Sequence, residues 1–113
     1  MLVSLCIIAF NEEKNINGLL NSVVAQTYPH DKTEIIFVDG MSSDKTKKLM
    51  EEFRDSYTSD YVAIKIVNNV KRVQPCGLNL AIKNSEGDVI IRIDAHAILN
   101  KDFVLNNVKC IET

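Results

Sequence analysis

The chain has 113 residues, 46% hydrophobic and 25% charged, with a formal net charge of −2. That length gives one domain with room for a core, and the mixture is that of an ordinary globular chain. The slightly acidic balance and the lack of a Lys/Arg cluster argue against nucleic acid as a partner. No run approaches the roughly 20 apolar residues of a membrane span.

Leu5-Cys6-Ile7-Ile8-Ala9-Phe10 reads as a buried strand closed by Asn11. It does not read as a signal peptide, because no basic segment precedes it and Asn11-Glu12-Glu13 follows at once. Ile16, Leu19, Leu20, Val23 and Val24 recur at helical spacing, with Asn11 as N-cap candidate, and Gln26-Thr27-Tyr28-Pro29 ends that helix. His30, beside Pro29 and Asp31, reads as surface loop. Ile35-Ile36-Phe37-Val38 is a second strand closed by Asp39. Gly40 to Asp44 is a polar turn, with Ser42 or Ser43 to cap a helix carrying Leu49, Met50 and Phe53. Ser56 to Asp60 breaks it, and Tyr61 to Val67 alternates like a half-buried strand near an edge.

Asn68 to Gln74 is polar and basic, and Pro75 suits a first helical turn ahead of Leu78, Ala81 and Ile82 as the apolar face. Glu86-Gly87 turns into Val89-Ile90-Ile91, a run that reads as a buried parallel strand, and Lys101 to Ile111 begins another helix. Strands alternating with helices predict a three-layer α/β/α domain with a mostly parallel sheet. Cys6, Cys76 and Cys110 are odd in number and lack CxxC spacing, which predicts reduced thiols of a cytoplasmic compartment, two of them core fillers.

The chemistry-bearing residues fall at strand ends. Asn11 and Asp39 close two strands, and Asp94-Ala95-His96 follows the Val89–Ile93 run. Ligands of open α/β sheets collect beyond the carboxyl ends of strands. On an extended segment residues two apart point to one side, so Asp94 and His96 are expected to reach one ligand. Arg92 shares that parity, and either faces the site or pairs with a nearby acid. The first turn has neither Gly-x-Gly-x-x-Gly nor a Walker loop, which removes nicotinamide-dinucleotide and P-loop readings.

Taken in order, Ser4 to Glu13, Ala25-Gln26-Thr27-Tyr28, Glu34 to Thr46, Gly77-Leu78-Asn79-Leu80-Ala81, Gly87-Asp88 and Asp94-Ala95-His96 resemble the nucleotide-sugar half of glycosyltransferase family 2, the inverting GT-A enzymes. The resemblance covers nearly the whole chain. The Asp-Ala-His variant resembles bacterial exopolysaccharide transferases of the succinoglycan type. His96 stands where the usual Asp-x-Asp ends, Gly40 replaces the second acid of the Asp-Asp-Gly loop, and Met41 replaces the glycine before serine.

The resemblance implies a single nucleotide-sugar-binding domain over residues 1–113, ending about where an acceptor-binding half begins. It implies metal-dependent transfer with inversion from a nucleoside-diphosphate sugar, uridine being the commonest, to a glycan or lipid-linked acceptor. Asp94 and His96 would hold Mn²⁺ or Mg²⁺, the nitrogen favouring Mn²⁺. Ala9, Phe10, Asn11, Glu12, Asp39, Arg72 and Asn79 would bind the nucleotide: Phe10 as a face for the base, Asp39 as an acceptor from a base N–H, Arg72 on base or phosphate, Asn79 ordering the loop at a helix start. The general base would lie beyond Thr113, leaving no catalytic residue here and this chain alone weak or inactive in transfer. Cytoplasmic chemistry is implied, with room for peripheral contact at the inner membrane face; oligomeric state stays open.

Plainer readings stand beside these. Asp94 can be a turn residue, His96 a surface or supporting histidine, Asp39 a helix cap, Phe10 a core aromatic and Arg72 a solvated charge. A non-catalytic nucleotide-binding module with a degenerate metal site is the alternative class. A sugar-nucleotide pyrophosphorylase would need a glycine-rich first loop.

Overall fold

The computed structural model describes residues 1–70 and 74–112. Among them the chain runs β1 (Val3–Ala9), α1 (Ile16–Val24), a 3-10 turn (His30–Lys32), β2 (Thr33–Asp39), α2 (Thr46–Tyr57), β3 (Ala63–Asn68), α3 (Gln74–Asn84), β4 (Val89–Asp94) and α4 (Phe103–Glu112). The strands form one sheet in the order β3-β2-β1-β4, and each neighbouring pair is parallel. The predicted three-layer α/β/α architecture is present.

Strand position explains the burial of each run. Central β2 is buried along its whole length and β1 nearly so, the pattern of a strand covered on both faces. Edge strand β3 is half-buried from Ala63 to Val67 and exposed at Asn68. β4 alternates instead, with Val89, Ile91 and Ile93 inside and Ile90 and Arg92 exposed.

The larger core lies on the face where Leu5, Ile7, Ile35, Phe37 and Ile91 meet Leu19 and Val23 of α1, Met50 and Phe53 of α2, and Val104 of α4. The other face is smaller: Cys6, Ile36 and Val38 pack with Ala81 of α3. Phe37, fully buried and edge-on to Phe53 with centroids 5.9 Å apart, anchors the first core. A buried phenylalanine of this kind contributes about 2–3 kcal/mol.

Several local expectations are corrected. Asn11 does not cap α1; Asn15 holds the N-cap position, without a side-chain cap bond. Neither Ser42 nor Ser43 caps α2, which begins at Thr46 after Lys45. α2 continues through Ser56 to Tyr57 because Tyr57 packs against Phe53, ring centroids 4.7 Å apart. Ile82 is 45% exposed, since α3 turns Ala81 rather than Ile82 to the sheet. His30 is not loop surface: it is half-buried and stacks on Tyr61 at 4.5 Å. Of the cysteines only Cys6 is a core filler, while Cys76 is half-buried and Cys110 exposed.

At the amino rim of the sheet a polar knot closes the α3–β4 connection. Glu34 is fully buried; its Oε1 accepts from Ser4 Oγ at 2.6 Å and from Glu86 N at 2.5 Å. Gly87 N donates to Ser4 Oγ at 2.9 Å. A Cβ on Gly87 would stand 2.3 Å from that oxygen and 2.8 Å from Ser4 N, so only glycine lets the turn approach. Glu34 Oε2 accepts no hydrogen bond among the described residues and has the Lys65 ammonium 3.8 Å away.

Candidate functional site

The pairings Ala9↔Asp39, Ile8↔Asp94 and Asp39↔Asn68 put the carboxyl ends of all four strands at one height on one rim. Read along that rim the order is Asn68, Asp39, Ala9 with Phe10, then Asp94. Asp39 and Asp94 stand two strand spacings apart, about 10 Å. Strand alternation places Asp39 on the same side as Ala9 and Phe37, and Asp94 on the side of Ile8, the α3 face.

The loops after β1 and β2 are laced together. Asn11 N donates to Ser42 Oγ at 2.9 Å, and Ser43 N donates to Asn11 Oδ1 at 2.8 Å. Glu12 N donates to Thr46 Oγ1 at 2.8 Å, and Lys45 N to Glu13 Oε1 at 2.9 Å. Asn11 and Met41 take φ of 51° and 64°, the left-handed region. Such strain collects where a loop must hold a special shape. Met41 thus adopts a geometry that favours glycine, the residue whose place it takes in the resembled motif. Asp44 Oδ1 accepts from Thr46 Oγ1 and Thr46 N. The hydrogen bond from the Thr46 hydroxyl is the main cause holding the Asp44 carboxyl below its ordinary range.

At the β4 end, Asp94 is the last strand residue, and Ala97 N donates to its carbonyl at 3.0 Å, closing a turn through Ala95 and His96. The extended-segment argument for Asp94 and His96 is therefore corrected, because alternation stops where the turn begins. Arg92 pairs with the acid: Nη2 lies 3.3 Å from Asp94 Oδ1. His96 Nδ1 lies 3.0 Å from Glu12 Oε2. Among the described residues Asp94 Oδ2 and His96 Nε2 have no hydrogen-bond partner, and no group of three or more His, Cys, Asp or Glu forms a cation cage. One carboxylate oxygen and one imidazole nitrogen at an exposed rim fit an ion that takes its remaining ligands from a diphosphate and water. They do not fit an ion held by protein alone.

The expected nucleotide contacts are spread along the rim. Phe10 is 50% exposed, which removes the core-aromatic reading. Ala9 is buried, and its carbonyl accepts from Gly40 N at 2.8 Å. A Cβ on Gly40 would stand 3.3 Å from Phe10 Cβ, so an acid here would crowd the aromatic. Asp39 is 2% exposed and caps no helix; Oδ1 accepts from Ser42 Oγ at 2.6 Å and Ser42 N at 3.2 Å, shaping the turn. Oδ2 receives only the longer 3.3 Å contact from that N–H. Glu12 is turned to His96. Asn79 lies mid-helix in α3 rather than at its start, and lines a groove of about 380 Å³ with Asn68, Asn69, Val70, Cys76 and Lys83. That groove is at the β3 end, opposite Asp94. Arg72 lies outside the described residues.

Sequence reasoning named Asn79 but missed its groove neighbours Asn68 and Asn69, the Glu12–His96 pair and the clamp made by Gln26. Gln26 Nε2 donates to Asn100 O at 2.7 Å, and its Oε1 accepts from Val104 N at 3.0 Å, tying α1 to α4. Such pairs join loops far apart in the chain and leave no periodic signal.

A parallel sheet in 3-2-1-4 order, helices on both faces and polar residues gathered at its carboxyl rim make this an α/β ligand-binding domain of the doubly wound kind. The sequence matches the family described as Glycosyl transferase family 2 across residues 4–113, and the chain belongs to that family. Its fold is the GT-A fold of solved transferases.

The chain is 39% identical over 107 residues to a dolichyl N-acetyl-alpha-D-glucosaminyl phosphate 3-beta-D-2,3-diacetamido-2,3-dideoxy-beta-D-glucuronosyltransferase of Methanococcus voltae, covering 95% of this chain and 33% of that protein. It is 30% identical over 109 residues to the glycosyltransferase AglE of Haloferax volcanii, covering 96% and 35%. The mannosyltransferase PcManGT of Pyrobaculum calidifontis, solved with GDP-Man and Mn²⁺, superposes at a TM-score of 0.90 with 26% identity over 98% of this chain and 32% of its own. The chain thus spans about a third of the length of these relatives.

Proposed function

We propose that these residues form the donor-binding part of a cation-dependent, inverting glycosyltransferase that takes a sugar from a nucleoside-diphosphate sugar, uridine first, to a glycan or lipid-linked acceptor. The observation that carries the reading is the shared rim, where Asp39, Phe10 and Asp94 stand in order at spacings that suit one extended ligand. Phe10 offers its exposed face to the base, and Asp39 Oδ2 accepts from a base N–H. Asn79 contacts the nucleoside from the β3 side, and Arg72, outside the described residues, is kept as a contact to base or phosphate. Asp94 and His96 hold Mn²⁺ or Mg²⁺ against the diphosphate. When bound, that ion neutralises the leaving group's charge as a Lewis acid. Transfer also needs a general base for the acceptor hydroxyl, which this reading assigns, with acceptor binding, to the two thirds of the relatives that the chain does not span. It places the chemistry in the cytoplasm, at the inner membrane face for a lipid-linked acceptor; among the described residues no helix is long and apolar enough to cross a membrane.

Calorimetry with uridine diphosphate tests the reading. Heat is expected with Mn²⁺ and is expected to vanish in Asp94→Ala. Absence of heat with every nucleoside diphosphate tried refutes it. A second reading, a nucleotide-binding module without catalysis, draws on the Arg92–Asp94 pair, which supplies the acid with a cation from the protein itself. Nucleotide binding of equal strength in EDTA and in Mn²⁺ selects that reading.

A further inference from the structure

Glu12 Oε2 meets His96 Nδ1 at 3.0 Å across 84 residues of chain. The backbone of Glu12 is itself fixed: its N–H donates to Thr46 Oγ1 at 2.8 Å, and its carbonyl accepts from Asn15 N and Ile16 N, both at 2.9 Å. The glutamate side chain is 21% exposed and the imidazole 65%. The anchored partner is therefore the acid, and the mobile one is the ring.

An ionised carboxylate only accepts hydrogen bonds, and a neutral imidazole carries one N–H and one lone pair. The nitrogen facing Glu12 must then be the protonated one. From this we infer that Glu12 is a positioning residue: it fixes His96 as the Nδ1–H tautomer and presents the Nε2 lone pair outward at the β4 end of the rim, as the nitrogen that ligates the cation. The inference rests on the ion reading above and replaces the nucleotide contact expected of Glu12. Carboxylate–imidazole support of this kind orients the ring and raises the basicity of the free nitrogen.

The test uses ¹⁵N spectra of the 113-residue chain, read at a pH where the ring signals are those of a neutral imidazole. The chain has two histidines, His30 and His96, and the ring signals lost in His96→Gln identify His96. Wild-type His96 is expected as the Nδ1–H form, opposite to the preference of an isolated imidazole in water. Glu12→Ala should return it to the Nε2–H form while the Glu12–Thr46 backbone bond keeps the loop folded. Glu12→Gln, whose amide oxygen still accepts, should retain much of the Nδ1–H form. Line broadening by Mn²⁺ at Asp94 and His96 should need about 10-fold or more higher Mn²⁺ in Glu12→Ala than in wild type.

A wild-type Nε2–H ring, or a tautomer unmoved by Glu12→Ala, overturns the role of Glu12. Wild-type resonances at Asp94 and His96 that ignore Mn²⁺, with the tautomer switch intact, overturn the ion site instead.

Discussion

Replacing Asn11 isolates the strain that the rim carries. The residue contributes in two separable ways: its backbone sits at φ 51°, and its Oδ1 accepts from Ser43 N at 2.8 Å. Alanine loses both advantages. A left-handed non-glycine residue costs about 1 kcal/mol or more, and the lost hydrogen bond about 1 kcal/mol, so Asn11→Ala should destabilise by about 2 kcal/mol. Glycine keeps the dihedral and loses only the side-chain bond, so Asn11→Gly should cost about 1 kcal/mol. With a urea slope of about 1–3 kcal/mol/M, the alanine midpoint falls by roughly 1 M and the glycine midpoint by about half that. Equal losses in the two variants would refute the argument, because the backbone would then carry no strain. Asn11→Gly should also weaken uridine diphosphate binding, since the Gly40–Asp44 turn loses one of its ties to the first loop.

Two further outcomes follow from the titrating groups. Asp44 is held below the ordinary carboxylate range chiefly by the Thr46 hydroxyl, so its charged form stabilises the fold above the unfolded value, about 3.9. That contribution is lost as pH falls through the lower folded value, so the gap in urea midpoint between wild type and Asp44→Asn should be widest near neutrality and narrow below about pH 3.9; a gap independent of pH contradicts the assignment. Burial, then the charge of Glu34, pushes the Cys6 thiol up to about 11. A disulfide reagent at neutral pH should modify Cys110 first, Cys76 more slowly, and Cys6 only on unfolding. Modification of Cys6 at the rate of Cys110 would show that the small core is open.

Much of the fold was legible because the central strands are written as uninterrupted apolar runs. Leu5 to Ala9 and Ile35 to Val38 could be placed as doubly covered strands from composition alone, and the acids closing them located the rim. Capping was not legible. Asn11, Ser42 and Ser43 have the chemistry of N-caps, yet they bond across two loops to each other, and the helices start three to five residues later. Glu34 reads as a polar strand start but is sealed because Ser4 and the backbone of Glu86 close on it, a fact of tertiary structure. Asp94 and His96 were singled out together and Arg92 was already a candidate partner for a nearby acid, whereas Glu12 as the partner of His96 emerges only from where the turn and the first loop lie.

The position of β1 between β2 and β4 carries a consequence for biosynthesis. Of the four strands described, β1 leaves the ribosome before the others and is an inner one, and its outer neighbour pairs through Val3↔Val89, 86 residues later. At roughly 5–20 residues per second, that partner arrives on the order of 4–17 s later. During the wait the uncharged segment Val3–Ala9 has one open edge, the composition that promotes sticking between nascent chains. Slower growth temperatures or chaperone supply should therefore raise the yield of folded material more than any change at the ligand-binding rim.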